Sequence, residues 1–186
     1  MAKIDPQTPI LVGVGQVVRH WQGPDVADAP SPLGLQLEAV REALADSGAP
    51  EKLAALIDGI VVVRSMLDSV DGAPQPFGRC ANPPQTIAAE LGIESACCIY
   101  SVVGGDQPQA LVNEAAEAIF AGDVDAVLLV GSEATAAMKQ AVKLKKKIID
   151  RTHSARGTSR VAPVPDGTLE ATPRPPGSAA AADARR

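Results

Sequence analysis

The apolar positions between residues 10 and 150 fall into short continuous runs separated by longer periodic stretches. The runs at 10–18, 57–63, 96–103 and 126–130 are rich in Val, Ile and Leu, which predicts buried strands. Between them, apolar side chains recur every three to four residues, as they do on one face of a helix. The alternation of strands and helices predicts an α/β fold with a mainly parallel sheet.

Capping residues predict where the three helices begin and end. Each helix begins at a polar N-cap followed by proline, and each ends at a glycine. The start and end pairs are Ser31 with Gly48, Asn82 with Gly92, and Asp106 with Gly122. In the third helix a glutamine, Gln109, stands three residues after the cap, as in a capping box.

The third predicted helix is apolar around most of its circumference. Its polar side chains Gln109, Asn113 and Glu117 form one stripe, with Glu114 beside it. Helices of this kind are buried on most sides. We therefore expect 106–120 to be a central helix between two layers, and the chain offers no obvious candidate for the second layer.

Residues 151–186 differ from 1–150 in composition and charge. Their only large aliphatic side chains are Val161, Val164 and Leu169, and the balance of charge changes from acidic to basic. Such a segment buries too little surface to offset its chain entropy, so we predict disorder. One hypothesis is a frameshifted or aberrant end to a longer, truncated protein, and the other is a genuine disordered tail.

Composition and charge exclude several classes of function. Aromatic residues make up only 2%, and the formal net charge is −5, which argues against a nucleic-acid partner. No apolar run reaches the ~18–20 residues of a membrane span, and the N-terminus does not resemble a secretory signal. The odd set of cysteines, Cys80, Cys97 and Cys98, favours a reducing, cytoplasmic location, and no spacing predicts a metal site.

The helix and strand from 110 to 134, which end in AGDVDAVLLVGSEA, carry a resemblance to a known family. Together with TPILVGVGQ, EAVREALADSGA and IDGIVVV, they resemble the N-terminal half of thiolase-superfamily acetyl-CoA acetyltransferases over residues 8–149. The resemblance implies acyl transfer with a coenzyme A thioester as substrate and no covalently bound cofactor. It also implies a partner, either the missing C-terminal half or a second copy paired through the strand 96–103.

In thiolases a nucleophilic cysteine lies at the turn between the third strand and the third helix, where the helix N-terminus lowers the pKa of the thiol. The resemblance places this position at Gly105, which has no sulfur. The family's Gly-His-Pro and Cys-x-Gly motifs belong to its C-terminal half, and this chain has neither. The resemblance therefore implies a divergent branch, and we assign no catalytic residue.

The turn at 104–107 is the candidate substrate-binding site. Gly104 and Gly105, with the backbone amides of Asp106 and Gln107, suit a thioester oxygen or another anion at a helix start. A capping Asp106 carboxylate would weaken this site by occupying it.

Other groups have simpler interpretations. Cys97 and Cys98 are neighbours on a predicted strand and face opposite sides, as two small buried side chains. Glu133, at a strand end, is interpreted as structural. For the lysines two alternatives stay open, the phosphates of coenzyme A or a solvated charge run; they are Lys139, Lys143 and 145–147.

Three functions follow as hypotheses. The first is an acyltransferase of thiolase type whose N-terminal half alone does not turn over. The second is a non-catalytic thiolase-like module that binds a coenzyme A thioester or supports a partner enzyme. The third is a fragment without function that folds poorly.

Overall fold

The structure is a computed structural model, and it describes residues 5–24, 28–70, 76–93, 97–144 and 160–161. From residue 57 to residue 130, helices and strands alternate as the sequence predicts, whereas the helices at 50–54 and 135–143 were not predicted. The elements are α1 (Pro32–Asp46), α2 (Pro50–Ala54), β1 (Ile57–Val62), a 3-10 turn (Met66–Ser69), α3 (Pro83–Leu91), β2 (Cys97–Tyr100), α4 (Gln107–Ala121), β3 (Ala126–Val130), α5 (Thr135–Lys143) and β4 (Arg160–Val161).

The strands form one parallel sheet in the order β3-β1-β2-β4. At its centre, Ile60 of β1 lies opposite Cys98 of β2 on one side and Leu128 of β3 on the other. β4 adds two residues beside the end of β2, where Ile99 pairs with Arg160. The predicted α/β class with a mainly parallel sheet is confirmed.

Helices cover both faces of this sheet. α1 and α3 pack on one face, and the largest apolar cluster lies between them and the sheet; its members include Leu37, Val40, Ile60, Ile87 and Cys98. α4 packs on the other face, where Val61, Ile99 and Leu111 are buried together. The buried side chains alternate along β1 and β2 because successive residues of a strand face opposite sides.

The predicted caps hold for the first two helices. Ser31 Oγ accepts a hydrogen bond from the Gly34 amide at 3.0 Å, and Asn82 Oδ1 accepts one from the Gln85 amide at 3.2 Å. Gly92 ends α3 in the left-handed conformation with φ of 68°. Side-chain caps and glycine stops therefore decide these bounds.

The predicted strand at 10–18 is wrong, because these residues lie in no sheet. They run along α1, where a Cβ on Gly13 or Gly15 would stand 2.2 Å or 2.0 Å from a carbonyl oxygen of the helix. The Val14 amide donates to Asp46 Oδ2 at 2.9 Å. Since β1 pairs with β2 on one edge and β3 on the other, its hydrogen bonds leave no position for a further strand between them.

The sheet covers only one side of α4. Leu111, Ala115 and Ala118 face the sheet and are buried, whereas Val112 and Phe120 on other sides are 47% and 53% exposed. The predicted second covering layer is therefore not supplied by the part of the chain that the structure describes.

Two further predictions concern the tail and membranes. Within 151–186 the structure describes only β4, and the prediction of disorder otherwise lies outside the described residues. Among the described helices, none is long and apolar enough to cross a membrane.

Candidate functional site

The carboxyl ends of the parallel strands meet at one edge of the sheet, which is where α/β proteins bind ligands. Three segments leave this edge: 63–69 after β1, 101–106 after β2 and 131–134 after β3. They carry both the predicted glycine turn and a group of polar side chains that the sequence did not single out.

The glycine turn leads directly into α4. The Gln107 amide donates to the Gly104 carbonyl at 3.2 Å, which closes the turn. Within the described chain, the amides of Gly105 and Asp106 have no acceptor. Two amides were predicted to bind an anion, those of Asp106 and Gln107. The Asp106 amide is available, whereas the Gln107 amide already donates to Gly104. The amide of Gly105 is also available, and it was not predicted.

The predicted capping box is wrong. Asp106 occupies the N-cap position, but its side chain accepts no capping hydrogen bond. Gln109 instead donates to Asn113 Oδ1 at 3.0 Å, one turn along the polar stripe. The backbone of Asp106 has φ −86° and ψ −17°, which is already helical, whereas a side-chain cap requires an extended residue.

The two glycines of the turn differ in the space around them. A Cβ on Gly104 would lie 2.6 Å from Asp106 Oδ1, so a side chain there would displace that carboxylate. A Cβ on Gly105 would have no heavy atom of the described residues within 4 Å. Gly105, at the position where the resemblance expects a nucleophile, is therefore open and sterically able to hold a side chain.

A polar cluster joins the ends of β1 and β2. The Tyr100 hydroxyl donates to Asp68 Oδ2, and the Arg64 guanidinium lies 4.2 Å from the centre of the Tyr100 ring. Arg64 Nε also donates to the Ser101 carbonyl at 2.7 Å. Burial above all, and then the hydrogen bond to Asp68, raises the pKa of Tyr100, so the phenol stays protonated and acts as a donor.

Glu133 joins β3 to the same region. One carboxylate oxygen accepts from the Ser65 hydroxyl at 3.1 Å, and the other accepts from the Met66 amide at 2.9 Å. Glu133 therefore fixes the start of the 3-10 turn, in agreement with its predicted structural role.

A small cavity of about 40 Å³ lies between this cluster and the starts of α1 and α3. Gln36 forms part of its wall, is only 4% exposed, and has a buried Oε1 with no hydrogen-bond partner among the described residues. The other lining residues are Pro32, Leu33, Ser65, Leu67, Asp68, Phe77, Gly78, Cys80, Pro83 and Tyr100.

The sequence analysis missed Gln36, although a signal was present. Gln36 lies three residues after Leu33 and four before Val40, within the apolar stripe that faces the sheet. An amide at such a position is buried by the helix that carries it, and it needs a partner.

Cys97 and Cys98 face opposite sides of the sheet as predicted, but only Cys98 is buried, whereas Cys97 is partly buried. Cys98 is buried on the α1 and α3 face, and burial, with a smaller effect of Cys97, raises its pKa to about 11. Cys97 contacts the opposite cluster, beside Val61 and Leu111. Cys80 Sγ lies 3.4 Å from Thr86 Oγ1.

None of the described residues forms a group of three or more metal-ligating side chains. Lys139 and Lys143 are exposed on α5, and 145–147 lie outside the described residues. The two alternatives for the lysines therefore stay open.

The sheet order, the helices on both of its faces and the helix that starts at a glycine turn define a thiolase-like fold. The structure is similar to that of a monomeric SCP2-thiolase like protein type 1 from Mycobacterium smegmatis, with a TM-score of 0.56 and 33% sequence identity. The similarity covers 72% of this chain and 25% of the Mycobacterium protein, so this chain spans about a quarter of the length of that neighbour. Neither the models of protein families nor the curated proteins give a match.

Proposed function

We propose that this chain is a thiolase-like module that binds a coenzyme A thioester at the glycine turn and does not turn it over alone. The observation that carries the proposal is the start of α4, where the amides of Gly105 and Asp106 have no acceptor among the described residues and a side chain on Gly105 would meet none of their atoms. The substrate-binding residues are Gly104, Gly105, Asp106 and Gln107, which form the turn itself.

The chemistry of the turn suits a thioester oxygen. The positive end of the helix dipole and free backbone N–H groups attract partial negative charge. The Asp106 carboxylate makes no capping bond, so it does not occupy those N–H groups. Gly105 brings no thiol to the reacting carbon, and burial keeps Cys98 protonated on its strand.

Calorimetric titration with acetyl-CoA tests the proposal. Wild type is expected to bind acetyl-CoA, and Gly105→Asp is expected to bind it at least tenfold more weakly because a carboxylate then faces the thioester oxygen. Gln109→Glu makes the same charge change about one helical turn further on, at an exposed side chain, and should leave affinity within about twofold. Equal weakening by both variants, or no binding by wild type, contradicts the proposal.

A second candidate is an acyltransferase of the acetyl-CoA acetyltransferase family that needs a further domain. The exposed Val112 and Phe120 on α4 favour it, since a covering layer would bury them. The partner would be a C-terminal thiolase half or a second copy of this chain, although the Mycobacterium neighbour is described as monomeric. The cysteine usage supports a cytoplasmic location for either function.

Cleavage of acetoacetyl-CoA tests both candidates. The chain alone is expected to show no turnover under either one, because the second also needs a further domain, and Gly105→Cys serves as the variant that restores a thiol at the turn. Turnover by wild type alone at the rate of an ordinary thiolase would contradict both candidates.

A further inference from the structure

The cavity beside Gln36 is separate from the glycine turn. Its wall comes from the α1 and α3 side of the sheet, whereas α4 and the glycine turn that precedes it belong to the other side. A ligand in this cavity would therefore be recognised by groups that the proposed thioester site does not use.

Burial of the unpartnered Gln36 Oε1 lowers the stability of the folded state, and no contact with the described residues offsets this loss. A buried acceptor without a donor loses its hydrogen bonds to water and gains none from the protein. The neighbouring buried positions of α1 are aliphatic, and leucine would fit the same stripe without this cost. A glutamine held there is explained by a donor that enters the cavity.

The remaining polar groups of the wall also favour a donor. Within the described residues, Asp68 accepts a single hydrogen bond, that from Tyr100, at Oδ2. A carboxylate and an amide oxygen are acceptors, and a ligand between them must offer N–H or O–H groups.

The charges around the cavity favour a cation. Asp68 lies in its wall, and the carboxylate of Glu133 accepts from Ser65, another wall residue. Arg64 lies over the Tyr100 ring as an opposing charge, and its Nε donates to the Ser101 carbonyl. Arg79, between two wall residues, is exposed to solvent.

We propose that this cavity binds a small cationic hydrogen-bond donor, an ammonium ion or the protonated end of a primary amine, held between Gln36 Oε1 and Asp68. The volume of about 40 Å³ admits a group of this size. Binding would join α1 to the 3-10 turn and to the end of β2.

Thermal unfolding in ammonium chloride tests the proposal, with tetramethylammonium chloride at equal concentration as the salt control. Ammonium is expected to raise the melting temperature of wild type saturably, by about 2–4 °C, because it binds the folded state. Tetramethylammonium offers no N–H group and should give no such rise.

Two variants locate the effect. Gln36→Leu is expected to abolish the ammonium response and, without ammonium, to melt at or above the wild-type temperature, since it removes the unpartnered acceptor. Asp68→Asn keeps the shape of the site and should also lose the response. Gln109→Leu, on the exposed stripe of α4, should retain it.

Several results would overturn the proposal. Equal responses to both salts indicate a general ionic effect or a cavity filled by water. A Gln36→Leu or Asp68→Asn protein that keeps the ammonium response places the ion elsewhere. Loss of the response in Gln109→Leu removes the assignment to this cavity.

Discussion

The two faces of the sheet differ in how deeply their side chains are buried and in how their helices are capped. On the α1 and α3 face, Val40, Ile60 and Ile87 are 1%, 0% and 0% exposed, and polar side chains cap both helices. On the other face, α4 buries a narrow row of side chains, begins without a side-chain cap, and leaves Phe120 in contact with solvent.

The difference separates what holds this chain together from what remains available to ligands or partners. Packing on the α1 and α3 face supplies most of the fold's apolar burial. Within the described part of the chain, the α4 face instead offers open space at Gly105 and two amides without acceptors. Stability and proposed thioester binding thus depend on different sides of the same sheet.

The largest expected effect is the difference in free energy of unfolding between two variants, each of which truncates one apolar side chain on one face of the sheet. Ile87→Ala removes a fully buried side chain, and we expect it to lower the free energy of unfolding by about 2–5 kcal/mol. Phe120→Ala removes a larger but half-exposed side chain and should cost less than about 1 kcal/mol. Urea unfolding followed by circular dichroism measures both values.

Equal losses for the two variants would contradict the comparison. They would mean that Phe120 is covered in solution, for example by a second copy, and sedimentation at two protein concentrations would reveal that assembly.

The next effect is alkaline destabilisation that depends on Cys98. The unfolded thiol has its ordinary pKa near 9.0, and the folded value is about 11. Above pH 9 the unfolded state releases this proton while the folded state keeps it. The stability contribution of the thiol, complete below pH 9, is therefore lost as pH rises towards 11, by about 1–2 kcal/mol.

Urea unfolding between pH 8 and 11 checks this loss. Cys98→Ala should show a shallower decline than wild type, while Cys97→Ala, on the α4 face, should decline nearly as wild type does. Tyr100 titrates in all three proteins and cancels in the comparison. If stability declines with pH equally in wild type and Cys98→Ala, the alkaline loss does not come from Cys98.

Much of the fold could be predicted because its signals are local. Ser31, Asn82, Gly92 and Gly122 bound their helices through contacts within a few residues, and such contacts can be read from sequence. The apolar runs at β1, β2 and β3 are equally local, and all three strands form, although β2 ends at Tyr100 rather than at the predicted residue 103.

The rest depends on contacts between distant residues. The run at 10–18 has every local feature of a strand, yet its place is decided by Asp46 and by the pairing of β1 with β3. The cavity likewise needs α1, the 3-10 turn and β2 to meet, so Gln36 and Tyr100 gave no local indication of a shared site.

A smaller effect is expected from removing the N-cap side chains of α3 and α4, one on each face of the sheet. Asn82→Ala deletes a side-chain bond to the Gln85 amide and should cost about 1 kcal/mol. Asp106→Ala deletes no such bond, and only the weak attraction between its charge and the helix dipole is lost, about 0.5 kcal/mol or less. Thermal unfolding of the pair gives the comparison, and a larger loss for Asp106→Ala would reverse it.

The smallest expected change in stability is that of Gly105→Cys, because its Cβ meets no atom within 4 Å. We expect a change within about 0.5 kcal/mol. The new thiol would lie at the start of α4, where free amides and the helix dipole favour the thiolate. It should therefore react with iodoacetamide at pH 7 much faster than Cys98, whose pKa is raised by burial. Peptide mapping by mass spectrometry resolves the two sites. Slow alkylation of the new cysteine would mean that the turn is closed in solution. This result would contradict both the open space at Gly105 and the thioester site proposed there.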